Sequence, residues 1–342
     1  MKKRNMIPES NGLYRVNMKE KVNKATVWKR IALVILCIFV FGFLFQQVSN
    51  FIGNEKISSS IYYAKVNNNK YEYNYGGSGQ YNLVFDGDIG TTLDQWAEIA
   101  SEAQKNYSVS TFVYNRQGYG FSNFGMVRTI EEQAQDLKIL LRKAGITKNI
   151  ILIGERYGSL VLTSFAKQFP EVVSGVILIN PLNEDEVKTE KFKDDIKGDY
   201  RKSKFEVFGT YFGITTLLEK FNMAYSIPDY DKVFQYKEAK EQYNILSKQT
   251  GYRKAISSEL GNLYNYDYEC QDSGMLSDKP LYIISSNKNE ELVKLGSEEL
   301  TTVKKIKESD NISAISNKEE VLDSINSILK QRKKIDKTKS QS

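Results

Sequence analysis

The sequence predicts an α/β fold with a mostly parallel central sheet covered by helices on both faces. Three observations carry this expectation. From residue 61 onward, strand-like runs alternate with helical ones. The runs at 109–114, 150–153 and 176–179 are apolar throughout or nearly so, as strands buried on both faces are. Helix starts are marked by Thr92-Leu93-Asp94-Gln95 and Thr129-Ile130-Glu131-Glu132, each reading as a capping box.

The elements follow in order. Residues 31–45 contain no polar side chain and are preceded by Lys29 and Arg30. At 1.5 Å per residue they cover about 22 Å, and extending to Ile52 gives about 33 Å, enough to cross a ~30 Å hydrocarbon core. The segment is apolar on every face, which predicts a transmembrane anchor over 31–52. A cleaved signal peptide is the rival, although thirty residues make a long basic leader and no small-x-small site follows Phe45 clearly. Residues 50–60 read as a linker. Strands are predicted at 61–66, 71–75 and 81–85, a helix from Thr92 to about Lys105, and a strand at 109–114. A second helix carries Ile130, Ala134, Leu137, Leu140, Leu141 and Ala144 at helical spacing. A strand at 150–153, a tight turn, a helix at 157–168 and a strand at 176–179 come next. The pattern then breaks at about 184–272, a tyrosine-rich and helical insertion expected as a cap over the C-terminal edge of the sheet. Sheet architecture resumes at 281–285, with a weak strand near 311–315, a helix over 318–330 and a basic, disordered tail at 331–342. The domain is thus expected over 57–330.

Charge narrows the functions. The chain of 342 residues has a net charge of +6. Residues 1–30 hold nine basic groups against Glu9 and Glu20, and the last thirteen hold six against Asp336, which leaves the body acidic. A basic face for nucleic acid is therefore not expected. The basic flank before Ile31 predicts a single-pass protein with a cytoplasmic N-terminus and an extracytoplasmic body at the cell membrane. The two cysteines, Cys37 and Cys270, offer neither a disulfide framework nor a multi-Cys metal site. No cofactor or metal is expected.

Most decisive is a count of zero. The chain contains no histidine, which removes every Ser-His-Asp and Cys-His triad.

Gly154-Glu155-Arg156-Tyr157-Gly158 lies between a strand and a helix, the context of a Gly-x-Ser-x-Gly nucleophile elbow. With it stand 83–96 (LVFDGDIGTTLDQW), similar to an oxyanion loop, and 114–123 (YNRQGYGFSN), similar to an Asp-Arg-x-Gly-x-Gly-x-Ser signature. Residues 165–171 (FAKQFPE) and 175–181 (GVILINP) resemble the helix and strand after the elbow. In these stretches the chain resembles the α/β-hydrolase superfamily, closest to small membrane-anchored bacterial hydrolases. The likeness is strong over 60–182, weak over 275–330 and architectural across the insertion. It implies an α/β-hydrolase fold with a cap.

The departures decide what the resemblance implies for function. Arg156 stands at the nucleophile position and Glu155 at the position usually held by His. The catalytic His matches Asn311, and the acid positions offer Asn180 and Asn287, neither a carboxylate. Ser159 lies further along the helix. Arginine stays protonated across the whole physiological range and serves neither as nucleophile nor as base. Asp88, beside Ile89 whose N–H matches an oxyanion donor, opposes developing negative charge. The expected function is a catalytically degenerate, membrane-tethered hydrolase fold with a binding or scaffold role. Its ligand is a small molecule or a protein, and its candidate pocket comprises Asp88, Ile89, Glu155, Arg156 and Tyr157. The alternative is a hydrolase of a small ester with a non-standard catalytic set drawn from Glu155, Asp88 and Glu184 to Glu186. A third reading is a pseudoenzyme that partners an active paralogue. For the pocket itself, Arg156 is expected to pair with Asp88 and plug the site.

Overall fold

The computed structural model describes residues 24–55, 62–227, 230–286, 290–306 and 312–341. Helix α1 (Lys24–Glu55) begins inside the basic flank, and its stretch Lys24–Leu44 is long and apolar enough to span a membrane, with none of it buried. The body follows as β1 (Tyr63–Val66), β2 (Asn69–Gly77), β3 (Asn82–Asp86), α2 (Ala97–Tyr107), β4 (Ser110–Tyr114) and α3 (Ile130–Lys143). Next come β5 (Ile150–Glu155), α4 (Tyr157–Gln168) and β6 (Val173–Ile179). Five cap helices intervene: α5 (Glu184–Val187), α6 (Glu190–Thr210), α7 (Ile214–Lys220), α8 (Lys237–Leu246) and α9 (Thr250–Tyr264). The chain then returns to the sheet with β7 (Leu281–Ser285) and β8 (Thr301–Lys305), and ends with α10 (Ser313–Ser316) and α11 (Lys318–Gln341).

The eight strands form one sheet in the order β1-β2-β4-β3-β5-β6-β7-β8, parallel from β4 to β8 and antiparallel where β2 meets its two neighbours. Its central strands β3 to β7 are largely apolar on both faces because both faces are covered. Leu152 and Leu178 pack with Leu137, Leu141, Leu162 and Phe165 of α3 and α4 on one side. Ile151, Ile153 and Ile177 pack with Ile99 and Ala103 of α2 and Ile325 and Leu329 of α11 on the other. This period of two along β5 is the pleat at work. Register then positions the site: Asp86 pairs with Gly154, so the loop leaving β3 emerges beside the turn leaving β5.

Four expectations need correction. Thr92 and Gln95 do not form a capping box; the Thr92 hydroxyl meets Asp94 and Tyr230, the Gln95 amide reaches Glu155, and a 3₁₀ turn at Leu93–Trp96 precedes α2. The strand expected near 311–315 is helical from Ser313, and the eighth strand is Thr301–Lys305 instead. The tail at 331–342 is not disordered through its described part. It extends α11 to Gln341, held by a Tyr81–Asp336 hydrogen bond of 2.6 Å and an Arg332–Asp336 ion pair one turn apart. The linker at 50–60 begins in helix, since α1 continues to Glu55; residues 56–61 lie outside the described residues.

Candidate functional site

The turn between β5 and α4 has the backbone of an elbow. Arg156 is held at φ +47°, ψ −111°, a conformation that costs a side-chain-bearing residue about 1–3 kcal/mol and persists only where the surroundings enforce it. They do so on both sides. The Arg156 N–H donates to the Ile179 carbonyl (3.1 Å), and its own carbonyl accepts from the Ser159 N–H (3.0 Å). Gly158 lets α4 approach the β3 loop: a Cβ there would lie 2.5 Å from the Asp86 carbonyl oxygen. The Gly158 N–H meanwhile donates to the Gly87 carbonyl at 3.0 Å.

At the centre is an ion pair. Arg156 Nε donates to Asp88 Oδ2 at 2.8 Å, and the Tyr157 N–H donates to Asp88 Oδ1 at 3.3 Å. The backbone donor just after the elbow, the one an oxyanion would use, therefore faces a carboxylate of the chain itself. The expected pairing forms, but it does not plug a buried pocket. The Arg156 side chain is 48% exposed and that of Asp88 22%. The Asp88 charge beside it raises the guanidinium pKa further above its ordinary value.

Glu155 points the other way, beneath the sheet's C-terminal rim. It is 1% exposed, takes a very short hydrogen bond from Gln95 Nε2, and accepts the Ala314 N–H at 3.2 Å. Burial, reinforced by the Asp88 charge, pushes its carboxyl up to about 8. At neutral pH this is mainly a neutral acid. A neutral carboxyl has a proton to donate, and Gln95 Oε1 is buried with no hydrogen-bond partner among the described residues.

The remaining expected residues divide between the site and its scaffold. Ile89 is buried between the sheet and the cap. The Tyr157 side chain is fully buried, its hydroxyl taking hydrogen bonds from Gln133 and Asn262 (both 2.9 Å), so it supports the elbow rather than lining an open pocket. Ser159 is engaged structurally: its hydroxyl donates to the Arg156 carbonyl and accepts the Leu182 N–H at 3.1 Å. Asn180 binds the Ser313 hydroxyl through Nδ2 and accepts the Ser286 N–H at 2.9 Å, tying β6, β7 and α10 together. Asn287 and Asn311 lie outside the described residues. Glu184 is turned toward the Cys270 N–H (2.7 Å) and the Tyr266 hydroxyl (3.3 Å), and Asp185 pairs with Lys294. Glu184 and Asp185 are thus engaged away from the elbow, and Glu186 is exposed on α5. Burial holds the Cys270 thiol up at about 11, which leaves no thiolate at neutral pH.

Sequence reading missed the network that shapes the loop. Arg116, 5% exposed, pairs with Asp86 through Nη1 and with Glu259 of α9 through Nε (2.7 Å). It also donates to the carbonyl oxygens of Gly87 (2.8 Å) and Asp88 (2.9 Å), which fixes the direction of the loop peptides. Tyr119 joins Glu259 (2.6 Å) to the Gly90 N–H (3.0 Å), and Tyr252 and Tyr230 bond Gly90 and Thr92 from the cap. Burial pushes the Asp86 and Glu259 carboxyls up, and the Arg116 charge pulls them back. The signal for Arg116 was its place in the 114–123 stretch; for Glu259, 143 residues away, there was none.

With this geometry in hand, the comparisons are consistent with one another. A model of the alpha/beta hydrolase fold matches residues 83–289. An uncharacterized protein, YqjL of Bacillus subtilis, is 24% identical over 106 residues, which is 31% of this chain and 41% of that protein; the chain thus spans about two fifths of that relative's length. Among solved structures, a carboxylesterase from the thaumarchaeon Nitrososphaera gargenis superposes with a TM-score of 0.59 at 18% identity, over 80% of this chain and 99% of that one. A thermophilic esterase from Thermogutta terrifontis gives 0.57 at 14% identity over the same shares. A mutant of potato epoxide hydrolase gives 0.62 at 13% identity, over 80% of this chain and 100% of that one. Family model, sheet order and elbow agree, and the chain belongs to the alpha/beta hydrolase fold family.

Proposed function

We propose that this protein is a membrane-tethered, non-catalytic member of the fold, with α1 as the tether and the elbow as a binding site for a small anionic molecule. The observation that carries the reading is Arg156 at the nucleophile position, with the Asp88 carboxylate seated on the Tyr157 N–H. The chemistry agrees: the chain has no imidazole to take a proton from any hydroxyl. A half-exposed guanidinium that meets Asp88 through Nε keeps its terminal amino groups available for the bidentate grip on a carboxylate or phosphate.

The test is thermal unfolding of the detergent-solubilised full chain with acetate, succinate and inorganic phosphate. An anion at a hundredfold excess over Kd stabilises by about 2.7 kcal/mol, and Arg156→Ala should abolish that gain. Because the pair is partly solvated, Arg156→Ala alone should cost no more than about 1 kcal/mol. Anion stabilisation that persists unchanged in Arg156→Ala contradicts the proposal.

A second reading, a hydrolase of small esters with an unusual catalytic set, draws support from the esterases and epoxide hydrolase that share the fold and from Glu155, whose raised pKa suits a general acid or base. Its difficulty is access, because Glu155 is sealed and both its oxygens are engaged. Saturable ester turnover lost in Glu155→Gln would establish this second reading.

A further inference from the structure

The cap carries an apolar surface that the candidate site does not use. Around the corner between α6 and α7, six large side chains are exposed: Phe205, Phe208, Tyr211, Leu217, Phe221 and Met223. A cluster of this size on a soluble face is unusual and marks a surface that meets another apolar phase. Basic groups outnumber acids among the exposed charges nearest it, Asp199 being the exposed acid. Arg201, Lys204 and Lys220 face solvent, whereas Glu206 is buried against Arg253 and Glu219 is turned to the same arginine.

The neighbour already seated at this corner indicates what the rest of it meets. The Phe212 ring stacks edge-on against Phe39 of α1, with centroids 4.7 Å apart, and packs on Phe208 at 5.1 Å. Gly42, one turn further along α1, admits the Phe212 backbone; a side chain there would collide with its carbonyl. The stretch of α1 that is long and apolar enough to span ends at Leu44. At 1.5 Å per residue, Phe39 and Gly42 lie about 7.5 and 3 Å inside that end. A corner touching α1 at those two residues sits within the outer ~10 Å of the leaflet, where interfacial elements bury their apolar face.

We infer that the α6–α7 corner of the cap dips into the lipid leaflet from which α1 emerges, its aromatic side chains among the acyl chains and its basic residues at anionic headgroups. The inference rests on the tether reading of α1 and adds to it a second, non-spanning membrane contact. The cap is then held against the bilayer surface, not merely leashed to it. The basic rim favours anionic lipid over a second copy of the chain, whose own corner carries the same charge.

The experiment is spin-label accessibility on the full chain in nanodiscs of phosphatidylcholine with phosphatidylglycerol, in a Cys37→Ala background; Cys270 is buried and unreactive. Labels are placed singly at Phe208→Cys and Phe221→Cys, at Val40→Cys in α1, and at Glu238→Cys on α8 as an aqueous control. Expected is preferential relaxation by oxygen over a water-soluble nickel chelate at 208, 221 and 40, with the reverse at 238. Nickel-accessible labels at 208 and 221 beside a lipid-exposed label at 40 overturn the inference and leave the tether standing. A water-exposed label at 40 overturns both. Labels at 208 and 221 shielded from both reagents and broadened by spin–spin contact show that a second copy covers the corner, which also overturns it.

Discussion

Two arginines face acids within the same cluster of loops, and burial separates what each contributes. Arg156 pairs with Asp88 near solvent, where screening and side-chain entropy leave little net stability. Arg116 is enclosed with Asp86 and Glu259, so removing it leaves two carboxyls with a buried counter-charge missing. Arg116→Ala is expected to destabilise the fold by about 3–5 kcal/mol, read from denaturant midpoints. Arg116→Lys should recover only part, because an ammonium lacks the planar fork that reaches Asp86, Glu259 and two carbonyls together. A loss under 1 kcal/mol in Arg116→Ala would mean that the network is dispensable. Glu155 makes a separate prediction in pH. Its carboxyl rises from an ordinary 4.5 to about 8 on folding, so between those values the native state holds a proton that the unfolded chain releases. Stability from this group is full below about pH 4.5 and falls as pH rises toward 8. At ~1.4 kcal/mol per unit the fall is of the order of 5 kcal/mol, and Glu155→Gln should remove it. Urea midpoints at pH 5, 7 and 9 decide the point: parallel profiles for wild type and Glu155→Gln would contradict it.

At the scale of elements, the central strands and α3 were legible because local pattern and tertiary role coincide. The capping box of Thr129 and Glu132 forms as read, with reciprocal bonds of 3.2 and 3.0 Å. Thr92 and Gln95 show the opposite case: their side chains are drawn to Tyr230 and Glu155, partners distant in sequence, and the local motif loses them. Strand β8 escaped reading because it is an edge strand, Thr-Thr-Val-Lys-Lys, partly exposed along its length with no apolar alternation to reveal it. The end of α11 escaped because its lysines suggest a solvated tail, while Tyr81 and Tyr282 hold it from the sheet. The helices α5 to α9 stand between β6 and β7, and they are no detachable lid. Among them α9 supplies Glu259 to Arg116, and Tyr252, Ile256 and Leu260 to the core beneath α4. Replacing 184–272 by a short linker should therefore abolish the cooperative thermal transition. A shortened chain that still unfolds cooperatively would show the sheet to be self-sufficient.

Across the whole molecule, fold and site were legible to different degrees. Four motifs in one order pointed to the superfamily, and Arg156 of the elbow meets Asp88 of the loop after β3, the pairing their positions implied. The pair's exposure was not legible, since nothing local to 154–158 tells how the cap closes over it. The central claim is that a hydrolase scaffold with an intact elbow backbone works here without hydrolysis. The most direct test exposes the purified full chain to a fluorophosphonate probe and follows p-nitrophenyl acetate turnover in parallel. The account predicts no covalent labelling and turnover equal to that of the Arg156→Ala, Glu155→Gln double variant. Stoichiometric labelling abolished by a single Ser→Ala change, or saturable turnover lost with Glu155→Gln, would contradict it.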